Sequence, residues 1–214
     1  MIHDRYDAGD QLAAALESRA GDASLLVVGI PRGGAMVAAR AASQLCAEYE
    51  CVPVCRIGMP CFPDLTLGAL DPDGVATFDP QSEVTRHEIG KVGGALARRL
   101  KEQVERCRDG RAPIDLRGRD VIVVDQALDN LIVPRAIAAY LHRRGARRVS
   151  YAVPVAASGL LAKVDPLFHD VLALQSASST NVLGWYGDAE PTDEEIRACL
   201  VSAWQHGPDV RGAA

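Results

Sequence analysis

The sequence lacks a long apolar run, an excess of positive charge and a signal peptide, and each absence excludes a class of protein. No apolar stretch approaches the roughly 20 residues that a helix needs to cross a bilayer. The net charge of −5 argues against a general binder of nucleic acid or of anionic membranes. The opening residues, Met1 to Arg5, do not show a basic and then apolar pattern. We therefore expect a cytoplasmic protein without membrane or nucleic-acid partners.

Metal-ligand spacing is also lacking, although the chain has six cysteines. No Cys-x-x-Cys pair occurs, and no histidine lies near the group formed by Cys46, Cys51, Cys55 and Cys61. Structural zinc sites need such pairs or neighbouring histidines. In a cytosolic protein, free thiols usually pack as small hydrophobic groups. We predict no metal site here.

Short β-branched runs alternate with longer stretches rich in alanine and leucine along the 214 residues. This alternation predicts an α/β fold with a mainly parallel sheet and helices on both faces. The predicted strands are 24–30, 52–57, 120–124, 149–153 and 171–174, and a hairpin joins 67–70 to 75–78 across residues 71–74. The predicted helices are 7–19, 35–45, 83–108, 132–144, 158–163 and 192–204.

The chain is long enough for one substantial core with a small appended lobe. We predict a single domain over residues 1–206, with a hood lobe built from about 58–80 and 180–206. Residues 207–214 are predicted to form a flexible tail.

The loop Pro31-Arg32-Gly33-Gly34 follows a predicted buried strand and opens a helix. Ligands of parallel sheets bind beyond the carboxyl ends of the strands. Consecutive glycines let backbone N–H groups approach an anion, and the helix N-terminus adds positive potential. Arg32 can pair with two anionic oxygens at once. A plain strand-to-helix turn is the alternative, and the combination of arginine and glycines favours an anion site.

A second loop follows the strand that ends at Asp125. It reads Gln126-Ala127-Leu128-Asp129-Asn130-Leu131 and leads through Val133 into a helix. A phosphate site requires N–H donors, hydroxyls and no adjacent negative charge. Asp129 supplies a carboxylate instead, and Leu131 and Val133 add apolar bulk, while Asn130 suits a helix cap. Taken alone, this loop predicts an ordinary helix entry.

Several segments together resemble the type I phosphoribosyltransferases of bacteria over nearly the whole chain. The matching segments are 3–9, the Pro-Arg-Gly-Gly loop at 31–34, Arg56 to Ala69, Ala152 to Ala156, Trp185-Tyr186 and Asp193 to Ile196. The resemblance implies a Rossmann-like type I phosphoribosyltransferase fold and a homodimer. It also implies that Pro31, Arg32, Gly33 and Gly34 form the pyrophosphate loop and that Arg56 is the cation of the flexible loop.

In that family, two acids and a loop similar to Gly-Leu-Ala-Thr-Gly-Ala-Thr bind the ribose and 5′-phosphate of phosphoribosyl pyrophosphate (PRPP). Here Asp125 keeps the first acid and Leu128 is retained. The substituted positions are Gln126 for the second acid, Ala127 and Leu131 for glycines, Asp129 for alanine, and Asn130 and Val133 for threonines. The resemblance implies magnesium only if PRPP or pyrophosphate is bound.

We expect a phosphoribosyltransferase homologue that is weak or inactive and binds a phosphate-bearing small molecule at its intact loop. An active transferase or phosphate-ester hydrolase with another sugar phosphate is a second hypothesis, and a non-catalytic interaction protein is a third. The basic stretch His142 to Arg148 could contact RNA, but cations at a helix C-terminus are ordinary.

Overall fold

A computed structural model describes residues 2–59, 62–80, 86–108, 110–178, 186 and 191–206. The helices are α1 Arg5–Ala15, α2 Gly33–Leu45, α3 Arg86–Arg108, α4 Ile132–Arg143, α5 Ser158–Val164 and α6 Asp193–His206. The strands are β1 Leu25–Gly29, β2 Glu48–Cys51, β3 Cys55–Met59, β4 Phe62–Leu70, β5 Ala76–Phe78, β6 Asp120–Val124, β7 Arg148–Ala157 and β8 Asp170–Ala177. Short 3-10 turns span Glu17–Arg19 and Asp165–Leu167.

The main sheet has five parallel strands in the order β2-β1-β6-β7-β8. Strands β1 and β6 are buried along their whole length, because each β-branched run has helices against both of its faces. One core layer joins the sheet to α1, α2 and α6, and the other joins it to α4. The expected parallel α/β fold is confirmed.

The second strand of the chain lies earlier than the sequence predicts. Residues 48–51 pair with β1, whereas the predicted strand at 52–57 is split. Val52 donates one further hydrogen bond to Gly29, and Pro53 then interrupts the run. Proline has no N–H for a sheet ladder, so the chain leaves the main sheet here and begins β3 of a second sheet.

The second sheet, which we call the small sheet, is antiparallel with the order β3-β4-β5. Its predicted hairpin turn is present: Gly74 has a φ of +76°, and the Asp71 and Val75 backbones are bonded across the turn. The fully buried Asp71 carboxylate accepts bonds from the N–H groups of Asp73 and Val75. The turn therefore forms where its glycine and aspartate predict it.

The C-terminal helix, which we assigned to the hood, has its apolar side chains in the core. Ile196, Leu200 and Ala203 of α6 are buried in the core layer of α1 and α2. Helix α6 therefore packs on α1 and α2 against the main sheet through apolar positions that recur at helical spacing. The predicted hood residues 180–185 and 187–190, Trp185 among them, and the predicted tail 207–214 lie outside the described residues.

The register of the main sheet brings the two candidate loops side by side. Gly29, at the end of β1, pairs with Val124, at the end of β6. Because both strands end at the same edge, the loops that follow them share one surface. Within the described part of the chain, no helix is long and apolar enough to cross a membrane.

Candidate functional site

The glycines of the Pro31–Gly34 loop allow it to pack directly on the loop that follows β6. The peptide between Pro31 and Arg32 is cis. A Cβ atom on Gly33 would lie 1.8 Å from Oε1 of Gln126, and one on Gly34 would lie 2.9 Å from the Cα of Asp125. The structure therefore brings the two predicted loops together, and contact between them requires both glycines.

Gln126, at the position of the second acid, is bonded to residues from the N-terminal and C-terminal parts of the chain. Nε and Nη2 of Arg5 lie 3.4 and 3.3 Å from its Oε1. Arg5 is buried, and its guanidinium lies 5.0 Å from the centre of the Tyr186 ring. The Tyr186 hydroxyl donates to the Gln126 carbonyl at 2.8 Å. Gln126 thus belongs to an internal network beneath the Pro31–Gly34 loop.

Arg5 and Tyr186 were not predicted as site residues, although both lie in segments that match the family. Their distance from Gln126 along the chain, 121 and 60 residues, hides the contact from any local pattern. In the sequence, the signal that points to Arg5 and Tyr186 is that both lie in segments that match the family. Their contact with Gln126 is visible only in the structure.

Asp125, the retained acid, carries an unusual carboxyl group. Burial raises the pKa of Asp125 to about 7, although its Oδ1 accepts a hydrogen bond from the Gln126 N–H at 2.7 Å. The neighbouring Asp129 raises this pKa further, and Arg56 lowers it. The Tyr151 hydroxyl is buried beside this carboxyl without a hydrogen-bond partner of good geometry. Asp125 is therefore readily neutralised near pH 7.

Asp129 and Arg56 form an ion pair in which one guanidinium nitrogen contacts both carboxylate oxygens. Nη2 of Arg56 lies 3.1 Å from each carboxylate oxygen of Asp129, whose side chain is 15% exposed. The cation of the predicted flexible loop is thus bonded to the carboxylate that the other loop has acquired. The sequence indicated both charges but not their pairing, because 73 residues separate them.

Asn130 caps α4, as its position predicts. Its Oδ1 accepts hydrogen bonds from the backbone N–H groups of Ile132 and Val133 at 2.9 and 3.2 Å. Its amide nitrogen donates to the Asp129 carboxylate. Two donors at the helix N-terminus are therefore occupied by a side chain of the same loop.

The apolar residues of this loop are part of the core. Leu128 donates to Val155 and accepts from Ala157 at 2.9 and 3.0 Å, which attaches the loop to the end of β7. Ala127, Leu128 and Val133 are buried. We predicted that Val133 adds bulk to a cradle, but its side chain packs in the core layer below α4 instead. The backbone of the loop is consequently held by the sheet.

Arg32 lies on the other side of its loop, toward α6. Its Nη1 donates to the Pro191 carbonyl at 3.2 Å. The exposed side chain also lines a cavity of about 640 Å³ between α3 and α6. The two sides of the Pro31–Gly34 loop thus face different partners. Gly33 and Gly34 contact Gln126 and Asp125, whereas the Arg32 side chain faces α6.

The arginines of the basic stretch 142–148 are paired with acids. Arg143 contacts Asp71 at 2.5 Å, and Arg144 contacts Asp73 at 2.6 Å. Two further pairs are Arg147–Asp120 at 2.8 Å and Arg148–Asp170 at 2.6 Å. All four arginines of this stretch are thus bonded to acids within the protein.

The described thiols do not form a metal site. Cys51, Cys55 and Cys107 are buried, Cys199 is partly buried and Cys46 is exposed. A hydrogen bond with the Cys107 thiol, together with burial, raises the pKa of Cys51 well above its usual value. No group of three His, Cys, Asp or Glu side chains among the described residues is arranged to hold a metal ion. Cys61 lies outside the described residues.

The profile of the phosphoribosyl transferase domain family matches residues 1–185. Two proteins of Mycobacterium tuberculosis, from strains CDC 1551 and H37Rv, are each named "Putative phosphoribosyl transferase". Each is 30% identical to this chain over 209 residues, which cover 95% of this chain and 47% of the relative. This chain therefore spans about half the length of these relatives.

The crystal structure of the protein TT1426 from Thermus thermophilus has a TM-score of 0.78 and 31% identity to this chain. The similarity covers 94% of this chain and 98% of that one. With the parallel sheet and the paired loops in place, the match over residues 1–185 shows that the chain belongs to the phosphoribosyl transferase family.

Proposed function

We propose that this chain is a phosphoribosyltransferase homologue that is weak or inactive as a transferase because its altered loop does not hold PRPP. In the enzymes that it resembles, two acids hold the ribose, and loop amides and threonines hold the 5′-phosphate. One observation carries the proposal: the N–H groups and charges that could bind a phosphate are already bonded to side chains of the same loop or to Arg56. Asn130 accepts from the two N–H groups that open α4, and Asp129 pairs with Arg56.

The cost of displacing these contacts supports the proposal. A phosphate entering the loop would have to break the Asn130 cap and lie beside the Asp129 carboxylate. Each lost or unsatisfied contact of this kind costs on the order of 1–3 kcal/mol. Every 1.4 kcal/mol is about tenfold in affinity, so several such costs would remove useful PRPP binding.

The Pro31–Gly34 loop is proposed to bind a phosphate-bearing small molecule. Gly33 and Gly34 begin α2, whose N-terminus favours anions, and Arg32 supplies a guanidinium. Magnesium would bind only together with pyrophosphate or PRPP, mainly through their phosphates. The carboxylate that could complete its coordination is Asp125, which lies against Gly34. We further propose that the protein is a cytoplasmic homodimer in nucleotide metabolism that does not bind nucleic acid or membranes.

Isothermal titration calorimetry with magnesium tests this proposal by comparing pyrophosphate with PRPP. Pyrophosphate is expected to bind the native chain, and Arg32→Ala is expected to weaken that binding at least about tenfold. The matched control is Arg98→Ala, which removes the same charge from an exposed position on α3. PRPP bound with a micromolar Kd would contradict the proposal. No heat with either ligand would instead favour the interaction-protein hypothesis.

A further inference from the structure

The cavity beside Arg32 lies on the opposite side of the Pro31–Gly34 loop from the altered loop. Strand β1 has β6 on one side and β2 on the other. The altered loop follows β6, whereas Cys107 of α3 contacts Cys51 at the end of β2. Helices α3 and α6 therefore enclose a cavity on the β2 side. This cavity is a separate site that shares only the wall formed by Pro31 and Arg32.

The charge of this cavity is opposite to that of the whole chain. Its walls contain four arginines, Arg32, Arg99, Arg106 and Arg197, and one acid, Glu194. The formal charge of this lining is +3, in a chain whose net charge is −5. A concave surface with one dominant sign of charge concentrates ligands of the opposite sign.

The positions of the arginines on α3 explain why they face the cavity. Arg99, Gln103 and Arg106 recur at a spacing of four and then three residues, so they share one face of the helix. Leu100 and Val104, on another face, pack against the small sheet. The apolar face thus anchors α3 and orients the polar face toward α6.

The cavity combines this charge with an apolar surface. The half-buried Pro31 contributes an apolar ring to the lining, and the buried Ile196 and Leu200 of α6 lie behind the opposite wall. A volume of about 640 Å³ lies within the range of pockets that hold molecules of nucleotide size. Guanidinium groups bind phosphate oxygens in bidentate geometry, and aliphatic side chains accommodate a flat base.

We propose that this cleft binds a nucleoside polyphosphate, with its phosphates on the four arginines and its base against the ring of Pro31. The inference rests in part on the proposed function, because Arg32 belongs to both sites. A nucleoside polyphosphate is the proposed class of the phosphate-bearing ligand, and its site extends from the Pro31–Gly34 loop to α3 and α6. Free phosphate or pyrophosphate would satisfy the arginines but leave the apolar wall uncovered.

Calorimetry with ATP, ADP, pyrophosphate and adenosine tests the proposal on the full chain. ATP is expected to bind at least about tenfold more tightly than pyrophosphate, because it contacts both walls. Adenosine alone is expected to bind weakly. Arg106→Gln and Arg197→Gln are each expected to weaken ATP binding about tenfold. Arg98→Gln, which removes an exposed charge from the same helix outside the cavity, should leave the Kd of ATP unchanged.

Three results would overturn the inference. ATP binding that survives the double variant Arg106→Gln/Arg197→Gln would place the ligand elsewhere. Equal loss in Arg98→Gln would indicate nonspecific attraction to α3. ATP that binds no more tightly than pyrophosphate, while Arg32→Ala still abolishes pyrophosphate binding, would refute the cleft and leave the proposed function intact. Tight PRPP binding would instead refute the proposed function. Circular dichroism of each variant establishes that the fold is retained.

Discussion

At the residue scale, Asp125 shows how the site has changed while keeping an acid of the family. Its carboxyl lies in a partly buried position against Gly34 and Gln126, and burial raises its pKa to about 7. In the unfolded chain the same carboxyl has a pKa near 3.8. Between these two values the folded protein binds more protons than the unfolded chain, so stability decreases as pH rises.

Asp125→Asn should therefore remove part of the pH dependence of stability. The variant is expected to gain little stability at pH 4, which is close to the unfolded pKa of 3.8, and most at pH 8, above both pKa values. The difference between the two gains should be roughly 2–4 kcal/mol. Urea unfolding of both proteins at pH 4, 6 and 8 measures it. A gain that does not change with pH would show that the pKa of Asp125 is not raised.

The roles of Gln126 and Asp129 could be predicted only in part from the sequence. The two substitutions are visible at once against the family pattern, and they mark the loop as altered. Their partners are not visible, since Arg5 and Arg56 lie 121 and 73 residues away. Long-range pairing depends on how the strands are ordered, and a single sequence does not give that order.

At the element scale, the small sheet is fastened to α4 through its hairpin turn. The buried Asp71 bonds two turn N–H groups and the Arg143 guanidinium, whereas Asp73 is partly exposed and pairs with Arg144. Because Arg56 lies on β3 of this sheet, the fastening also fixes the cation that pairs with Asp129. The hairpin thus helps to keep Arg56 in contact with Asp129 of the loop after β6.

Removing the Asp71 carboxylate should destabilise the protein more than removing that of Asp73. Asp71→Ala removes a fully buried carboxylate that two turn N–H groups and one cation share as their acceptor, and it should cost about 2–4 kcal/mol. Asp73→Ala, the matched control in the same turn, should cost less than about 1 kcal/mol because its pair is partly exposed. Denaturant unfolding of both variants checks the difference. Similar losses in the two would contradict the proposed fastening.

The prediction of elements succeeded where periodicity is strong and failed where a single residue decides. The strand at 120–124 and the hairpin turn at 71–74 follow from β-branched runs and from Asp and Gly. The second strand was misplaced, because the apolar run at 52–57 conceals the break at Pro53. The side of the molecule that α6 covers depends on tertiary packing, and the capping pattern at Thr192 predicts only where it begins.

At the scale of the whole molecule, the family fold is retained, and its two candidate loops differ in how their polar groups are used. Membership in the phosphoribosyl transferase family follows from the match over residues 1–185 and from the fold shared with TT1426. The Pro31–Gly34 loop keeps its residues and borders an arginine-lined cavity. The loop after β6 keeps its position, but its donors and charges are bonded within the protein. We propose that these internal bonds exclude PRPP.

The most direct test is the PRPP affinity of the native chain, measured by calorimetry with magnesium beside a variant with a restored loop. The triple variant Asp129→Ala/Asn130→Thr/Leu131→Gly frees Arg56, restores a hydroxyl and returns a glycine to the loop. We expect a Kd weaker than roughly 1 mM for the native chain and at least about tenfold tighter binding by the variant. Micromolar PRPP binding by the native chain, unimproved in the variant, would contradict it.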